Sequence, residues 1–92
     1  MILSFKCEET RKIYEGKRSR RFHAIQFVAE RKLAMLDAAT KFEDLKSPPG
    51  NRLKSLTGNR KGQFSIRIND QYRICFAWTP DGPADVEIVD YH

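Results

Sequence analysis

The sequence predicts an α+β domain in which a short N-terminal strand and two helices precede an antiparallel sheet of three to four strands. Apolar residues recur at helical spacing in the first half of the chain and alternate with polar residues in the second half. The run "KSPPGN" separates the halves, because consecutive prolines do not continue a helix. With 92 residues and a hydrophobic fraction of 40%, the chain suffices for one domain with a modest core, spanning residues 1–92.

The first half is predicted to contain a short N-terminal strand and two helices. We expect the strand over "MILSFK" and a short helix over "CEETRKIYEG", which has acids in its first turn and Gly16 where it should end. A longer amphipathic helix is expected from about Arg21 to Thr40. Its apolar side consists of Phe22, Ile25, Val28, Ala29, Leu33, Leu36 and Ala39.

The second half is predicted to form the sheet. "QFSIRIN" and "YRICFAW" alternate in polarity, and the link "NDQ" is short enough for a hairpin. In the register that stacks the apolar residues on one face, Arg67 lies beside Arg73 on the other face. "TPDGP" is a turn that leads into a last strand. The helices should cover the apolar face, where Tyr72, Phe76 and Trp78 are expected as core residues.

The charges are unevenly distributed along the chain. Seventeen basic and twelve acidic residues give a net charge of +5, which attracts nucleic acid, an anionic membrane or an acidic protein. Seven basic residues and one acid lie between Lys46 and Arg73, whereas four acids and no Lys or Arg follow from Asp81. We therefore expect basic and acidic side chains to meet across neighbouring strands. No segment predicts a signal peptide or a membrane span, so a cytoplasmic protein is expected.

The cysteines indicate neither a disulfide framework nor a cofactor site. Cys7 and Cys75 lie far apart and outside any CxxC pair, which is typical of reduced thiols in a cytosolic protein. A zinc site formed by both cysteines with His23 and His92 is disfavoured, because no two ligands are close in sequence. We predict no metal and no cofactor.

The chain closes on three side chains that can handle protons or hydrogen bonds, Asp90, Tyr91 and His92. A histidine near its ordinary pKa of about 6.5 can accept or donate a proton at neutral pH. The alternative is a solvated terminus, since chain ends are often loose. We expect the last strand to bring this triplet beside the basic face that carries Arg73.

Two long stretches resemble one known family. The run "PPGNRLKSLTGNRKGQFSIRINDQYRICFAW" followed by "DVEIVDYH" is similar to the HigB-type toxins of type II toxin-antitoxin systems, a branch of the RelE/ParE superfamily. With the N-terminal "SF" and "AERKLAMLDAAT", the resemblance spans essentially the whole chain. It implies a RelE-like fold of the microbial-ribonuclease type and cleavage of mRNA on the translating ribosome. It also implies inhibition by a helix-turn-helix antitoxin resembling HigA, in a complex that binds its own operator DNA.

The resemblance also implies an active site. In similar toxins the terminal Asp-Tyr-His contributes to catalysis, so His92 is the first candidate for proton transfer. Asp90 can orient the imidazole, and Tyr91 can stack on a base or donate a hydrogen bond. Arg73 is the candidate phosphate clamp, because a guanidinium holds two phosphate oxygens in fork geometry. Its alternative is a surface ion pair with an acid such as Glu87.

Basic residues near the predicted hairpin are candidates for holding the RNA backbone. Arg60 and Lys61 lie in a loop bounded by glycines, and Arg67 lies on the following strand. Cations in such places can follow phosphates without reading bases. Ordinary solvated charges are the alternative for all three.

One stretch departs from the family pattern. Similar toxins carry a His and, a few residues on, a Lys in the stretch matching "RLKSLTG", where this chain has Lys54 and Thr57. Lys54 can supply charge, but a lysine with a pKa near 10.4 is a poor general base at neutral pH. Two alternatives therefore stay open. One is a toxin that acts by binding alone, on ribosome function or assembly or on gyrase as in ParE-like relatives; the other is mainly a regulator in the operator-bound complex.

Overall fold

The computed structural model describes residues 1–90, which form an α+β domain as predicted; Tyr91 and His92 lie outside the described residues. Two α-helices precede the sheet, α1 (Glu8–Tyr14) and α2 (Gln26–Ala38). Short 3₁₀ turns occupy His23–Ile25, Phe42–Lys46, Pro49–Asn51 and Gly58–Arg60. The strands among residues 1–90 are β1 (Lys54–Ser55), β2 (Gln63–Arg67), β3 (Tyr72–Thr79) and β4 (Gly82–Asp90), arranged in sequence order with antiparallel neighbours.

The N-terminal segment forms less regular structure than the predicted strand. It is a single parallel bridge between Phe5 and Val86, supported by a hydrogen bond of 2.8 Å from the Leu3 amide to the Pro83 carbonyl. The neighbouring β4 is irregular here, since Asp85 has a φ of 52° and the pairing with β3 shifts between Cys75 and Ala77. A bulged edge leaves little room for a continuous ladder.

Residues next to the helices determine where each of them begins or ends. Gly16 follows α1 with a φ of 84°, and its amide donates to the Ile13 carbonyl at 3.0 Å, as predicted for a glycine stop. The second helix begins later than expected, at Gln26. The preceding residues form a loop in which the Ser19 amide donates to Oε1 of Gln26 at 3.1 Å. These side-chain contacts compete with helix formation.

The core lies between the two α-helices and one face of the sheet. Helix α2 contributes Ala29, Leu33 and Leu36, all fully buried. The sheet contributes Ile66, Ile74, Phe76, Val86 and Ile88. Phe42 closes one end, with its ring 4.7 Å from Phe64 and 5.9 Å from Trp78. Tyr72, Phe76 and Trp78 therefore belong to the core side, as predicted.

The hairpin has the predicted register. Ile66 pairs with Ile74 and Arg67 pairs with Arg73, so the apolar residues stack on the face towards the helices. Strand β4 is fixed on its other edge by α1, because the Ile88 amide donates to Oγ1 of Thr10 at 3.0 Å.

None of the helices within residues 1–90 is long and apolar enough to cross a membrane.

Candidate functional site

The sheet has an outer face, turned away from α1 and α2, on which polar and charged residues line up. Successive side chains of a strand point to opposite faces, and directly paired residues share a face. The register therefore aligns one row across the four strands: Lys54, Ser65, Cys75 and Glu87. The next row of the outer face contains Arg67, Arg73 and Val89. Residues far apart in sequence thus meet on one surface.

Arg73 is held in place on the outer face by two different nitrogens. Its Nε donates to Oγ of Ser65 at 2.7 Å, and its Nη2 donates to the backbone carbonyl of Arg52 at 2.7 Å. Nη2 also lies 3.5 Å from the Ser65 carbonyl oxygen. The contacts at Nε and Nη2 fix the plane of the guanidinium, and a fixed plane is what a bidentate phosphate ligand needs.

Arg60 reaches across the sheet to the last strand. Its Nη1 donates to Oε1 of Glu87 at 2.7 Å and to Oε1 of Gln63 at 3.2 Å. The side chains are 33% exposed for Arg60 and 16% for Glu87, so the pair is partly shielded from water. A basic and an acidic side chain therefore meet across the sheet as expected, but they do not lie on neighbouring strands, because Arg60 belongs to the turn before β2 and Glu87 belongs to β4.

Cys75 lies beneath these charged side chains. Burial raises the pKa of its thiol, and the negative Glu87 acts in the same direction, while the positive Arg60 and Arg73 oppose it. The thiol is fully buried and is free rather than disulfide-bonded. At neutral pH it therefore stays protonated and serves as a packing element under the charged layer.

The remaining basic candidates differ in their positions. Lys54 is exposed on β1 and shares the outer face with Ser65, its partner across the sheet. Arg67 is adjacent to Arg73 and its Nη2 donates to Oδ1 of Asp70. Lys61 is exposed in the turn before β2. The structure thus brings Lys54, Arg67 and Arg73 onto one face, with Arg60 reaching over it, and leaves Lys61 at its margin.

The terminal triplet is described only at Asp90. This residue ends β4 opposite Tyr72, and its Oδ2 accepts a hydrogen bond of 3.1 Å from Nε2 of Gln71. Tyr72 faces the helices, where its ring lies 5.7 Å from that of Phe22. The register therefore places Asp90 on the opposite face from Arg73, which differs from the expectation that the two share a face. Tyr91 and His92, the other predicted catalytic residues, lie outside the described residues.

Two features of this face were missing from the sequence prediction. Ser65, the acceptor for Nε of Arg73, could have been found from the hairpin register, because it lies diagonally from Arg73 on the same face. The Arg52 carbonyl carries no sequence signal, since any residue has one.

Within residues 1–90, no three His, Cys, Asp or Glu side chains gather in a way that would hold a metal ion.

Comparisons with known proteins identify the family. A family model described as "RelE-like toxin of type II toxin-antitoxin system HigB" matches residues 3–92. The chain is 44% identical over 94 aligned residues to Toxin HigB-1 of Vibrio cholerae serotype O1, covering 100% of this chain and 98% of that protein. It is also 41% identical over 51 residues to an uncharacterized protein of Haemophilus influenzae, covering 55% of this chain and 50% of that protein. With its helices packed on a four-stranded antiparallel sheet, the chain belongs to the HigB-like branch of the RelE-like toxins of type II toxin-antitoxin systems.

Proposed function

We propose that this toxin is a ribosome-dependent mRNA endoribonuclease that inhibits translation and growth in the cytoplasm. HigB-type toxins of the RelE-like family are generally endoribonucleases, and a type II toxin implies an antitoxin partner. The antitoxin in this proposal is a helix-turn-helix protein resembling HigA, whose complex with the toxin binds operator DNA. The observation that carries the proposal is the outer face, where an oriented Arg73 is surrounded by further cations.

The reaction is a transfer of the phosphoryl group within the RNA. A base removes the proton of a 2′-hydroxyl, the 2′-oxygen attacks the adjacent phosphorus, and the bond to the 5′-oxygen breaks as an acid protonates that oxygen. The products are a 2′,3′-cyclic phosphate and a 5′-hydroxyl. Negative charge accumulates on the phosphate oxygens during the reaction, so cations held in place lower the barrier.

The outer face supplies cations of two kinds for this reaction. Arg73 is the phosphate clamp, because its contacts with Ser65 and Arg52 orient a fork of N–H donors. Lys54 lies on the same face and adds positive charge close to the reacting group. Arg60, Lys61 and Arg67 hold the flanking RNA backbone, where each neutralised phosphate strengthens binding without reading sequence.

Proton transfer falls to the end of the chain in this proposal. His92 is the acid or base, and Tyr91 stacks on a base or donates a hydrogen bond. Asp90 lies on the opposite face from Arg73, so its role in this proposal is confined to the imidazole, which it orients or stabilises in the charged form, and does not extend to the phosphate. The support is chemical: His23 is the only histidine within residues 1–90, and it lies in a 3₁₀ turn before α2. An imidazole at residue 92 is then the side chain whose ordinary pKa suits the task.

A matched pair of histidine variants tests this assignment. Antitoxin-free toxin is mixed with ribosomes programmed with mRNA, and cleavage is measured by mapping RNA ends. His92→Ala should lower the single-turnover rate at least about tenfold, because a general acid or base typically contributes about 10²–10⁴-fold. His23→Ala removes an exposed histidine away from the outer face and should cleave at the wild-type rate. Equal rates for wild type and His92→Ala would contradict the proposal.

A toxin that acts by binding alone is the second candidate. It is favoured by Lys54, which occupies the outer face where a histidine stands in similar toxins. Under this alternative, His92→Ala keeps full growth arrest without RNA cleavage, whereas Arg73→Glu abolishes growth arrest. Growth of induced cells without the antitoxin therefore separates the two candidates. An absence of any growth defect would instead indicate a regulator that works mainly in the operator-bound complex.

A further inference from the structure

Asn51 is a fully buried polar side chain at the end of the 3₁₀ turn Pro49–Asn51, three residues before β1. Its Nδ2 donates to the carbonyls of Leu45 at 3.1 Å and Ser47 at 3.4 Å. Its Oδ1 accepts a hydrogen bond of 2.5 Å from Nζ of Lys32 on α2. The amide thereby joins three separate parts of the chain, the second helix, the 3₁₀ turn after it and the loop before the sheet.

The residue that follows Asn51 has an unusual backbone conformation. Arg52 is left-handed, with φ 46° and ψ 54°, and its amide donates to the Pro49 carbonyl at 3.1 Å. Residues other than glycine are uncommon in this region and stay there where their surroundings hold them. The conformation turns the Arg52 carbonyl towards the outer face, where it accepts the 2.7 Å hydrogen bond from Nη2 of Arg73.

The direction of that carbonyl bears directly on Arg73. A guanidinium is planar, so a shift of the acceptor at one end rotates the whole group about the other contact, the hydrogen bond from Nε to Ser65. A rotated plane offers only one N–H at a time to a phosphate that a correctly oriented plane grips with two. Asn51 and Arg73 are therefore connected through Arg52, whose carbonyl accepts the hydrogen bond from Nη2 of Arg73.

We propose that Asn51 is a positioning residue for Arg73, acting through the left-handed Arg52 and its carbonyl. The proposal deepens the proposed function and rests on it, since it assumes that Arg73 grips the scissile phosphate. Lys32 also contributes to this positioning, because its hydrogen bond connects Asn51 to the α2 helix. Asn51 itself does not touch RNA, because it is completely buried.

The first test reads the orientation of Arg73 without any activity. Asn51→Asp is nearly isosteric, and it replaces the two amide donors with an oxygen that faces the Leu45 and Ser47 carbonyls. In NMR spectra of the antitoxin-free toxin, the Nε–H resonance of Arg73, assigned with Arg73→Lys, should shift or broaden in this variant. Asn59→Asp, the same change at an exposed turn, should leave the resonance in place. An unmoved resonance in Asn51→Asp would overturn the inference.

The second test asks whether Asn51 acts through Arg73. In the programmed-ribosome assay, Asn51→Asp should lower kcat about fivefold or more with little change in KM, since misorientation affects the transition state. In the Arg73→Lys background, the same substitution should change kcat by less than about twofold. An equal loss in both backgrounds would show that Asn51 supports only the fold and would overturn the inference.

The two tests fail in different ways for the two proposals. Wild-type cleavage by Arg73→Lys would contradict the clamp in the proposed function, whereas the Arg73 resonance would still report on Asn51. If Asn51→Asp does not fold, Lys32→Met removes the hydrogen bond to Asn51 from the other side and keeps an apolar stem of similar length. The Arg73 resonance should again move, and kcat should fall about twofold or more in the wild-type background only. An unmoved resonance in Lys32→Met would likewise overturn the inference.

Discussion

The contact between Thr10 and β4 predicts a large effect from a single oxygen atom. Thr10 is fully buried in α1, and its Oγ1 accepts the Ile88 amide hydrogen at 3.0 Å. Thr10→Val keeps the shape of the side chain and leaves this amide without an acceptor. Such a buried donor costs about 1–3 kcal/mol. The new methyl group offsets at most about 0.8 kcal/mol of that cost.

This free energy translates into a measurable melting shift. The offset leaves a net loss of about 0.2–3 kcal/mol. The middle of this range, about 1–2 kcal/mol, lowers the Tm of a domain of this size by roughly 4–16 °C. Thermal unfolding followed by circular dichroism measures the shift. Thr57→Val is the matched control, because Thr57 is exposed and its side chain makes no capping hydrogen bond. Amide hydrogen exchange provides a local readout, since Ile88 should exchange faster in Thr10→Val while Ile74 on β3 changes less. The reasoning is refuted if Thr10→Val melts within about 2 °C of Thr57→Val.

Three further predictions concern charge, backbone and pH. Glu87→Gln should cost about 1–2 kcal/mol in urea unfolding, because it removes the partly shielded negative charge that faces Arg60 and leaves a neutral acceptor. Asp70→Asn, at a carboxylate that is 100% exposed, should cost less than about 0.5 kcal/mol. Equal costs would contradict the role given to shielding. Gly82→Ala should lower the free energy of unfolding by about 1–3 kcal/mol, because Gly82 has a φ of 137° and a Cβ would overlap the Met1 carbonyl oxygen. Gly50→Ala meets open space and should stay within about 0.5 kcal/mol of wild type. A Gly82→Ala variant as stable as wild type in the same urea titration would contradict this prediction. The pKa of the Cys75 thiol is raised in the folded state, so its contribution to stability is fully present below the unfolded pKa near 9.0 and is lost as pH rises through the folded pKa. Cys75→Val should therefore flatten the fall in unfolding free energy above about pH 9. An unchanged slope would exclude this thiol as the cause.

Much of the fold could be predicted because it depends on short-range patterns. Alternation with period two and a three-residue link fixed the register that pairs Ile66 with Ile74 and Arg67 with Arg73. Gly16 marked the end of α1 because its positive φ closes the helix at low steric cost. The predicted start of α2 was wrong by five residues, since Gln26 bonds back to Ser19 and no periodicity reports such a contact.

Short-range sequence patterns predicted only part of the candidate site. The placement of Arg67 and Arg73 on one face follows from strand alternation, and the structure confirms this register. Lys54 joins them through β1, a two-residue strand that was not predicted. The catalytic roles of Arg73 and His92 stay predictions. Asp90 shows the limit of residue-type reasoning, because one position along a strand decides which face a side chain occupies.

The sequence by itself determined the two helices ahead of the sheet, the register of the β2–β3 hairpin and the family, because each depends on residues close together in the chain or on long matching words. Tertiary structure alone decided which partners the charged groups take: Glu87 bonds to Arg60, and Arg73 bonds to the carbonyl of Arg52. These contacts join residues that are 27 and 21 positions apart. A backbone carbonyl is common to every residue and a long side chain can reach several neighbours, so only the folded arrangement of the chain specifies the pair that forms.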